Sequence, residues 1–460
     1  MPTHGSLFQL KQNGTNVRTE IMAGLTTFMT MAYILAVNPL ILTGGTGMNW
    51  ESVFLATAIG AGVMTIVMGL FVNFPVALAP GMGLNAYFAT VVATSQGHFT
   101  YQSALAAVFV SGIIFIILTV TKVRQLLLVA VPDNIKHAIT VGIGLFITII
   151  GMKNSGLLAV AVSSFKDIKA GAFTDVLGAE TVFHMGSLKD HNVILVIIGL
   201  LLISALMVLR VRGAILLGML GTTIIAAFMG DVHMGKDVKW APDFSQLTLF
   251  HFDFAGLLST GIVTAIATFT FVELFDTFGT MVGTATRAGI MNNKEEGNRR
   301  VGKAMLFDAI GVSFGAAVGT STVTAYVESA AGVAEGGRTG LTAVTTGVCF
   351  LIALFLAPIA ALIPASATAA ALIVVGVLMV QAIRQIDFTD FVVAIPAFLT
   401  IVLMPFTYNI ANGVSFGIFS YVVLATVGRL GGKSKHKVHW LMWVLAVLIV
   451  ARYAFIGSEG

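Results

Sequence analysis

Fourteen apolar runs divide this 460-residue chain, at about 21–43, 52–73, 75–93, 101–121, 132–151, 192–209, 211–229, 254–283, 301–319, 320–335, 339–363, 366–385, 389–406 and 408–428. Nothing else restricts its folding as tightly. A hydrocarbon layer about 30 Å thick offers no water to backbone N–H and C=O groups. Each run must therefore close its own hydrogen bonds as a helix or be shielded by neighbouring protein. Most of the runs are long enough to cross at about 1.5 Å per residue. The chain is 57% hydrophobic and 10% charged, whereas a soluble domain carries about 25% charged residues. That balance excludes a globular enzyme and predicts an all-α polytopic membrane protein.

The lone Cys349 excludes an intramolecular disulfide and argues against a multi-ligand Cys metal site, and no cofactor is implied. Net charge is +4; in a chain of this kind it reads as a topology signal, not as a nucleic-acid footprint. Residues 1–20 are polar and lack the basic-then-apolar build of a cleaved signal, so the first run reads as a retained helix entered from the cytoplasm. With that start, segments assigned to the cytoplasm carry most of the Lys and Arg. The outer loops hold Lys153, Lys166, Lys169, Lys189, Lys236 and Lys239, all within two long connections. The run at 439–456, after a basic stretch, is left open between a fifteenth span and a helix lying along the membrane.

Halfway along, the pattern restarts. The fifth and twelfth segments share Pro132…Gly144 and Pro364…Gly376; the fourth and eleventh share Gly112…Phe115 and Gly347…Phe350. Segments three and ten are both short. Seven spans per half force the second copy to enter from the opposite side, which predicts a 7+7 inverted repeat, an architecture typical of secondary transporters.

Segments three and ten also cannot be ordinary helices. Pro75 and Pro80 bracket a piece of segment three, since each disfavours helical geometry in the residue before it. Pro80 suits the first turn of a half-helix, and Gly81 and Gly83 allow close approach to its backbone. Segment ten opens on the β-branched, hydroxyl-rich run 319–324 and closes on small, helix-compatible residues. Each is predicted to be a short extended piece followed by a half-helix. Such backbone is tolerated at membrane depth only where protein or a water-filled cavity surrounds it.

Segment eight carries Glu273 and Asp276 inside an apolar run. A carboxylate near the bilayer centre costs about 2.5–3.5 kcal/mol on insertion scales, so two acids three residues apart point to a substrate or proton route. Glu328, beside the break in segment ten, is read the same way. For Asn85 an interhelical hydrogen bond is the competing assignment, and for Gly81 and Gly83 close helix packing.

The stretches Pro80-Gly-Met-Gly-Leu-Asn85, Phe271-x-Glu273-Leu-Phe-Asp276-Thr277-x-Gly279-Thr280 and Thr324-Ala-Tyr326-Val-Glu328-Ser329, with Ala23-Gly-Leu-Thr-Thr-Phe-x-Thr-Met-Ala-Tyr33, resemble the azaguanine-type (AzgA-like) purine permeases of the nucleobase–cation symporter superfamily. The resemblance implies a core built from segments 1–4 (21–121) and 8–11 (254–363), and a gate built from 5–7 (132–229) and 12–14 (366–428). The ends, 1–20 and 429–460, lie outside both. It also implies a homodimer in the plasma (inner) membrane that takes up hypoxanthine, guanine or adenine with a proton. By the same resemblance Glu273 and Glu328 are the substrate carboxylates, with Asn85 on the opposing half-helix and Asp276 as the second acid of segment eight.

Chemistry supports these roles. Guanine and hypoxanthine set an N1–H donor beside an O6 acceptor, and guanine adds a 2-amino group. Glu273 can accept from paired donors, Glu328 from the imidazole-edge N–H, while backbone near Gly83, Val327 and Ser329 meets acceptors on the ring. Phe28, Tyr87 and Phe271 are candidate stacking partners, though aromatic helix packing competes for each. Two acids this close cannot both stay ionised cheaply, so one of Glu273 and Asp276 is expected to carry the coupled proton. A sodium-coupled symporter and an anion transporter of the same architecture are the alternatives. The constellations of a membrane hydrolase are missing from the sequence.

Overall fold

The computed structural model describes residues 8–95, 99–121, 123, 130–160, 183–232, 240–255, 260–292, 294–432 and 436–455. In the first half, α1 (Val17–Met31) and α2 (Ile34–Thr43) form one interrupted segment, followed by α3 (Trp50–Val67). Strand β1 (Leu78–Pro80) leads into the half-helix α4 (Met82–Thr94), and α5 (Tyr101–Val120), α6 (Asp133–Asn154), α7 (His191–Val208) and α8 (Ala214–Met229) complete the set. The second half runs α9 (Thr260–Arg287), α10 (Lys294–Val318), strand Val323–Ala325, α11 (Ser329–Ala334), α12 (Gly340–Ile352) with α13 (Ala357–Ala361), α14 (Ala365–Val380), α15 (Phe391–Phe406) and α16 (Ile410–Leu430). That is seven segments twice over. A last helix, α17 (Trp440–Phe455), lies beyond the repeat. Between α6 and α7, Leu158–Val160 (β2) and Phe183–Met185 (β3) form an antiparallel pair, so the strand after α10 is β4.

The repeat is visible in which helices meet. α5 packs on α10 as α12 packs on α3, α15 on α6 as α7 does on α14, and α9 on α5 as α1 does on α12. The glycines that revealed the repeat sit at these contacts. A Cβ on Gly144 would lie 2.9 Å from the Gly376 carbonyl oxygen, and one on Gly376 only 2.6 Å from that of Gly144. α6 and α14, equivalent in the two halves, thus touch backbone to backbone. Gly112 meets Ser313 on α10 as Gly347 meets Gly62 on α3. Small residues at such crossings let membrane helices associate by close van der Waals contact where the hydrophobic effect gives no help.

Burial is that of a membrane protein. Phe228, Val208, Phe391, Phe398, Phe406 and Val427 face outward, while Asn38, Thr57, Asn85, Glu273, Asp308 and Thr400 are buried. Among the described residues, nine helical segments are long and apolar enough to span a membrane. α1 begins at Val17, earlier than the apolar run suggested, because the Asn16 side chain caps it by accepting from the Thr19 amide at 3.0 Å. Glu20, assigned from sequence to a polar terminus, is fully buried. Its carboxylate accepts from the Arg338, Thr339 and Thr342 amides and the Thr342 hydroxyl at 2.6–3.3 Å, neutralising the N-terminal end of α12.

The contacts of α17 bear on the question left by its sequence. His436, just before it, lies 2.6 Å from Asp390 at the start of α15. That contact and the Val392 amide hold the Asp390 carboxyl below the usual range. At the far end of α17, Tyr453 donates to Asn412 at 2.7 Å and its ring meets Phe416, both in the first turns of α16. α17 therefore runs back along nearly the whole of α16, a path of about 24 Å at 1.5 Å per residue. That path is the one a fifteenth crossing would take. A topology reporter fused after Leu430 and one fused after Gly460 are expected to report from opposite sides of the membrane; the same side for both would place α17 on the surface.

Candidate functional site

The two broken segments meet in an antiparallel ribbon with register Leu78↔Ala325, Ala79↔Thr324 and Pro80↔Val323. The half-helices α4 and α11 leave it from opposite ends. Pro80 is the last residue of β1 rather than part of α4, and helical bonding starts beyond Gly81. Having no N–H, Pro80 offers the ribbon only its carbonyl, which accepts from the Tyr326 hydroxyl at 2.5 Å. A Cβ on Gly81 would sit 2.9 Å from Thr324 Cγ2, so glycine lets the two extended pieces close together there. Gly81 also donates to the Thr322 carbonyl at 2.9 Å.

Glu273 lies on α9, which packs against α4, β4 and α11, and its side chain is buried. Thr277, one turn on, lies 3.5 Å from Glu273 Oε1 and donates to the Thr324 hydroxyl on β4 at 2.9 Å. Thr324 in turn donates to Asp308 Oδ1 at 3.1 Å, and the Ala325 amide donates to the same oxygen at 2.9 Å. Two hydroxyls, Thr277 and Thr324, thus lie between two buried carboxylates, Glu273 and Asp308, beside β4. Asp308 was not singled out from sequence. The signal was present, since it is the single acid in an apolar run, the criterion already applied to segment eight.

Glu328 sits at the entry to α11, and its Oε1 accepts from the Tyr33 hydroxyl at 2.7 Å. Tyr33 occupies the interruption between α1 and α2. Beside Glu328, the Val327 side chain is more than half exposed, whereas Ser329 is turned inward and its Oγ accepts from the Ala77 amide at 3.0 Å. Asn85 is fully buried. Its amide nitrogen donates to Asn38 Oδ1 at 2.5 Å, and its oxygen accepts from Ser321. Asn38 donates onward to Thr57 and Thr320. This is the interhelical hydrogen bonding that the sequence allowed for Asn85, tying α2, α3, α4 and the approach to β4. Gly83 faces Ile143 of α6 so closely that an added Cβ would collide with Ile143 Cγ2, which is the close packing allowed for it.

Phe28 packs edge-on against Phe350, and Tyr87 against Phe269, as aromatic helix contacts. Asp276 falls on α9, but its side chain, like that of Phe271, lies outside the described residues. Among the described residues no group of three His, Cys, Asp or Glu side chains could hold a metal ion.

Two broken segments meeting as a ribbon, within an inverted repeat of apolar helices, are the architecture of a multi-pass membrane transport protein. Residues 18–416 match the permease-family model Xan_ur_permease, and the chain belongs to that family of xanthine/uracil permeases. It is 39% identical to the adenine permease AdeP of Escherichia coli over 98% of this chain and 96% of the relative. It is 41% identical to the guanine/hypoxanthine permease PbuO of Bacillus subtilis over 96% and 98%. Among solved structures, the transmembrane domain of the cyanobacterial bicarbonate transporter BicA matches with a TM-score of 0.59, covering 88% of this chain and 96% of that one at 15% identity, a likeness of fold alone.

Proposed function

We propose that this chain imports purine nucleobases, with hypoxanthine, guanine and adenine as the candidate substrates, by proton symport across the plasma membrane, its N-terminus in the cytoplasm. The reading is supported by Glu273, which approaches β4 through Thr277, and Glu328, which follows β4 at the entry to α11, in a chain about 40% identical to relatives named for adenine and for guanine and hypoxanthine. Glu273 accepts the paired donors of the pyrimidine edge. Glu328 accepts an imidazole-edge N–H, with the backbone at Val327 and Gly83 close to the ring acceptors. Asn85 and Ser329 act from behind, holding the two broken segments in register.

The core, α1–α5 with α9–α13, carries both acids and rocks against the gate, α6–α8 with α14–α16. One of Glu273 and Asp276 takes up the coupled proton, so the loaded site approaches neutrality before it moves. The chain works as a homodimer. An anion site should instead be cationic, and the ribbon is flanked by acids; the BicA likeness therefore does not extend to substrate.

Purified protein in liposomes with an imposed inward proton gradient is expected to accumulate labelled guanine, hypoxanthine or adenine, and a protonophore abolishes the uphill phase. Replacing Asp276 with Asn removes accumulation but leaves base binding measurable. Uptake that follows a sodium gradient and ignores the protonophore supports the sodium-coupled alternative. No purine binding at all overturns the reading.

A further inference from the structure

We propose that Tyr33 is a positioning residue for purine recognition, acting through Glu328; this rests on reading Glu328 as a substrate acid. Its hydroxyl donates to Glu328 Oε1 at 2.7 Å across 295 residues of sequence. The Tyr33 ring is buried, with 1% of its surface exposed, so the donor is held by its surroundings and not by the contact itself. Its location explains why. α1 makes its last bond from the Ala32 amide to the Phe28 carbonyl, and α2 restarts with the Leu35 amide on the Ala32 carbonyl and the Ala36 and Val37 amides on the Tyr33 carbonyl. The side chain at that interruption reaches across to the start of α11.

Glutamate has three side-chain torsions, and a carboxylate is useful for recognition only when its plane is fixed. A buried phenol donating to one oxygen fixes it and occupies one of about four acceptor directions. Glu328 then meets the base through its second oxygen and takes a single N–H. The paired donors are left to Glu273. Tyr326, the residue that follows β4, does the corresponding work on the other half-helix by donating to the Pro80 carbonyl ahead of α4. Each half-helix is thus anchored at its entry by a tyrosine hydroxyl.

Tyr33→Phe keeps the ring and removes only the donor. A charge-assisted hydrogen bond removed without loss of packing corresponds to about a tenfold change in an equilibrium constant. Tyr33→Phe is expected to raise the Kd and the KM for guanine and hypoxanthine about tenfold, with Vmax and the amount of protein in the membrane within twofold of wild type. A Kd within twofold of wild type overturns the inference, as does a fall in Vmax or abundance with Kd unchanged, which marks a purely structural role. Glu328→Gln is measured alongside. If it leaves Kd unchanged, the assignment of Glu328 to substrate fails; if it weakens binding while Tyr33→Phe does not, only the role of Tyr33 fails.

Discussion

Replacing Asp308 with Ala is expected to reduce purine uptake more than a hundredfold. The carboxylate is fully buried on α10 and accepts from the Ala325 amide and the Thr324 hydroxyl, the two donors at the end of β4 nearest Glu328. Deleting it leaves both donors without that acceptor in a dry interior. Hydrogen bonds to a charged group are worth about 1.5–3 kcal/mol each, so the combined loss exceeds the roughly 2.8 kcal/mol that a hundredfold requires. The ribbon can recover part of this only by moving β4, which carries Thr324 away from Thr277 and alters the support of Glu273. Asp308→Asn keeps an oxygen of the same shape able to accept from both donors. It should lose about tenfold, with protein present in the membrane at wild-type amount. Uptake and equilibrium binding on both variants check this, and Asp308→Ala transporting within tenfold of wild type would falsify the assigned support.

Much of the architecture was legible because membranes leave few options. Apolar runs had to be helices, and the runs that could not be helices announced themselves through Pro75, Pro80 and the β-branched stretch before Ala325. The repeat was legible for a similar reason. Gly144 and Gly376 are equivalent positions where two helices touch, and only glycine satisfies both backbones at that distance. Register was not legible. Nothing in the composition of 78–80 or 323–325 specifies that Ala79 faces Thr324.

The site was read unevenly for a physical reason. An acid in an apolar run signals that something unusual is present, but not which group across the molecule satisfies it. Glu328 and Tyr33, and Glu20 and the start of α12, pair between the two halves of the repeat, while Asp308 and β4 pair between successive segments. Asn85 shows the converse. A polar side chain in a Gly-rich motif suits a ligand and a helix junction equally well, and its two hydrogen-bonding ends are occupied by Asn38 and Ser321.

Linking Arg212 to Glu335 covalently is expected to stop transport while leaving purine binding intact. Arg212 lies in the short connection between α7 and α8, on the proposed gate. Glu335 closes α11, on the proposed core, seven residues after Glu328. Their side chains meet at 2.6 Å, with the arginine more than half exposed. Nearby, a Cβ on Gly213 would lie 3.0 Å from Met29 of α1, so the same connection also rests on the core at this end of the molecule.

An exposed pair of this kind contributes about 0–1 kcal/mol, too little to hold two bodies together against a transport cycle. That weakness suits a contact that must open and close repeatedly. Neutralising either partner should therefore change uptake by no more than about fivefold. A Cys at each position joined by a short bismaleimide replaces the weak contact with one that cannot open. Flux should then fall below a twentieth of the unlinked double variant, while binding of guanine changes less than threefold. Undiminished uptake by the linked protein would show that core and gate do not separate at this end.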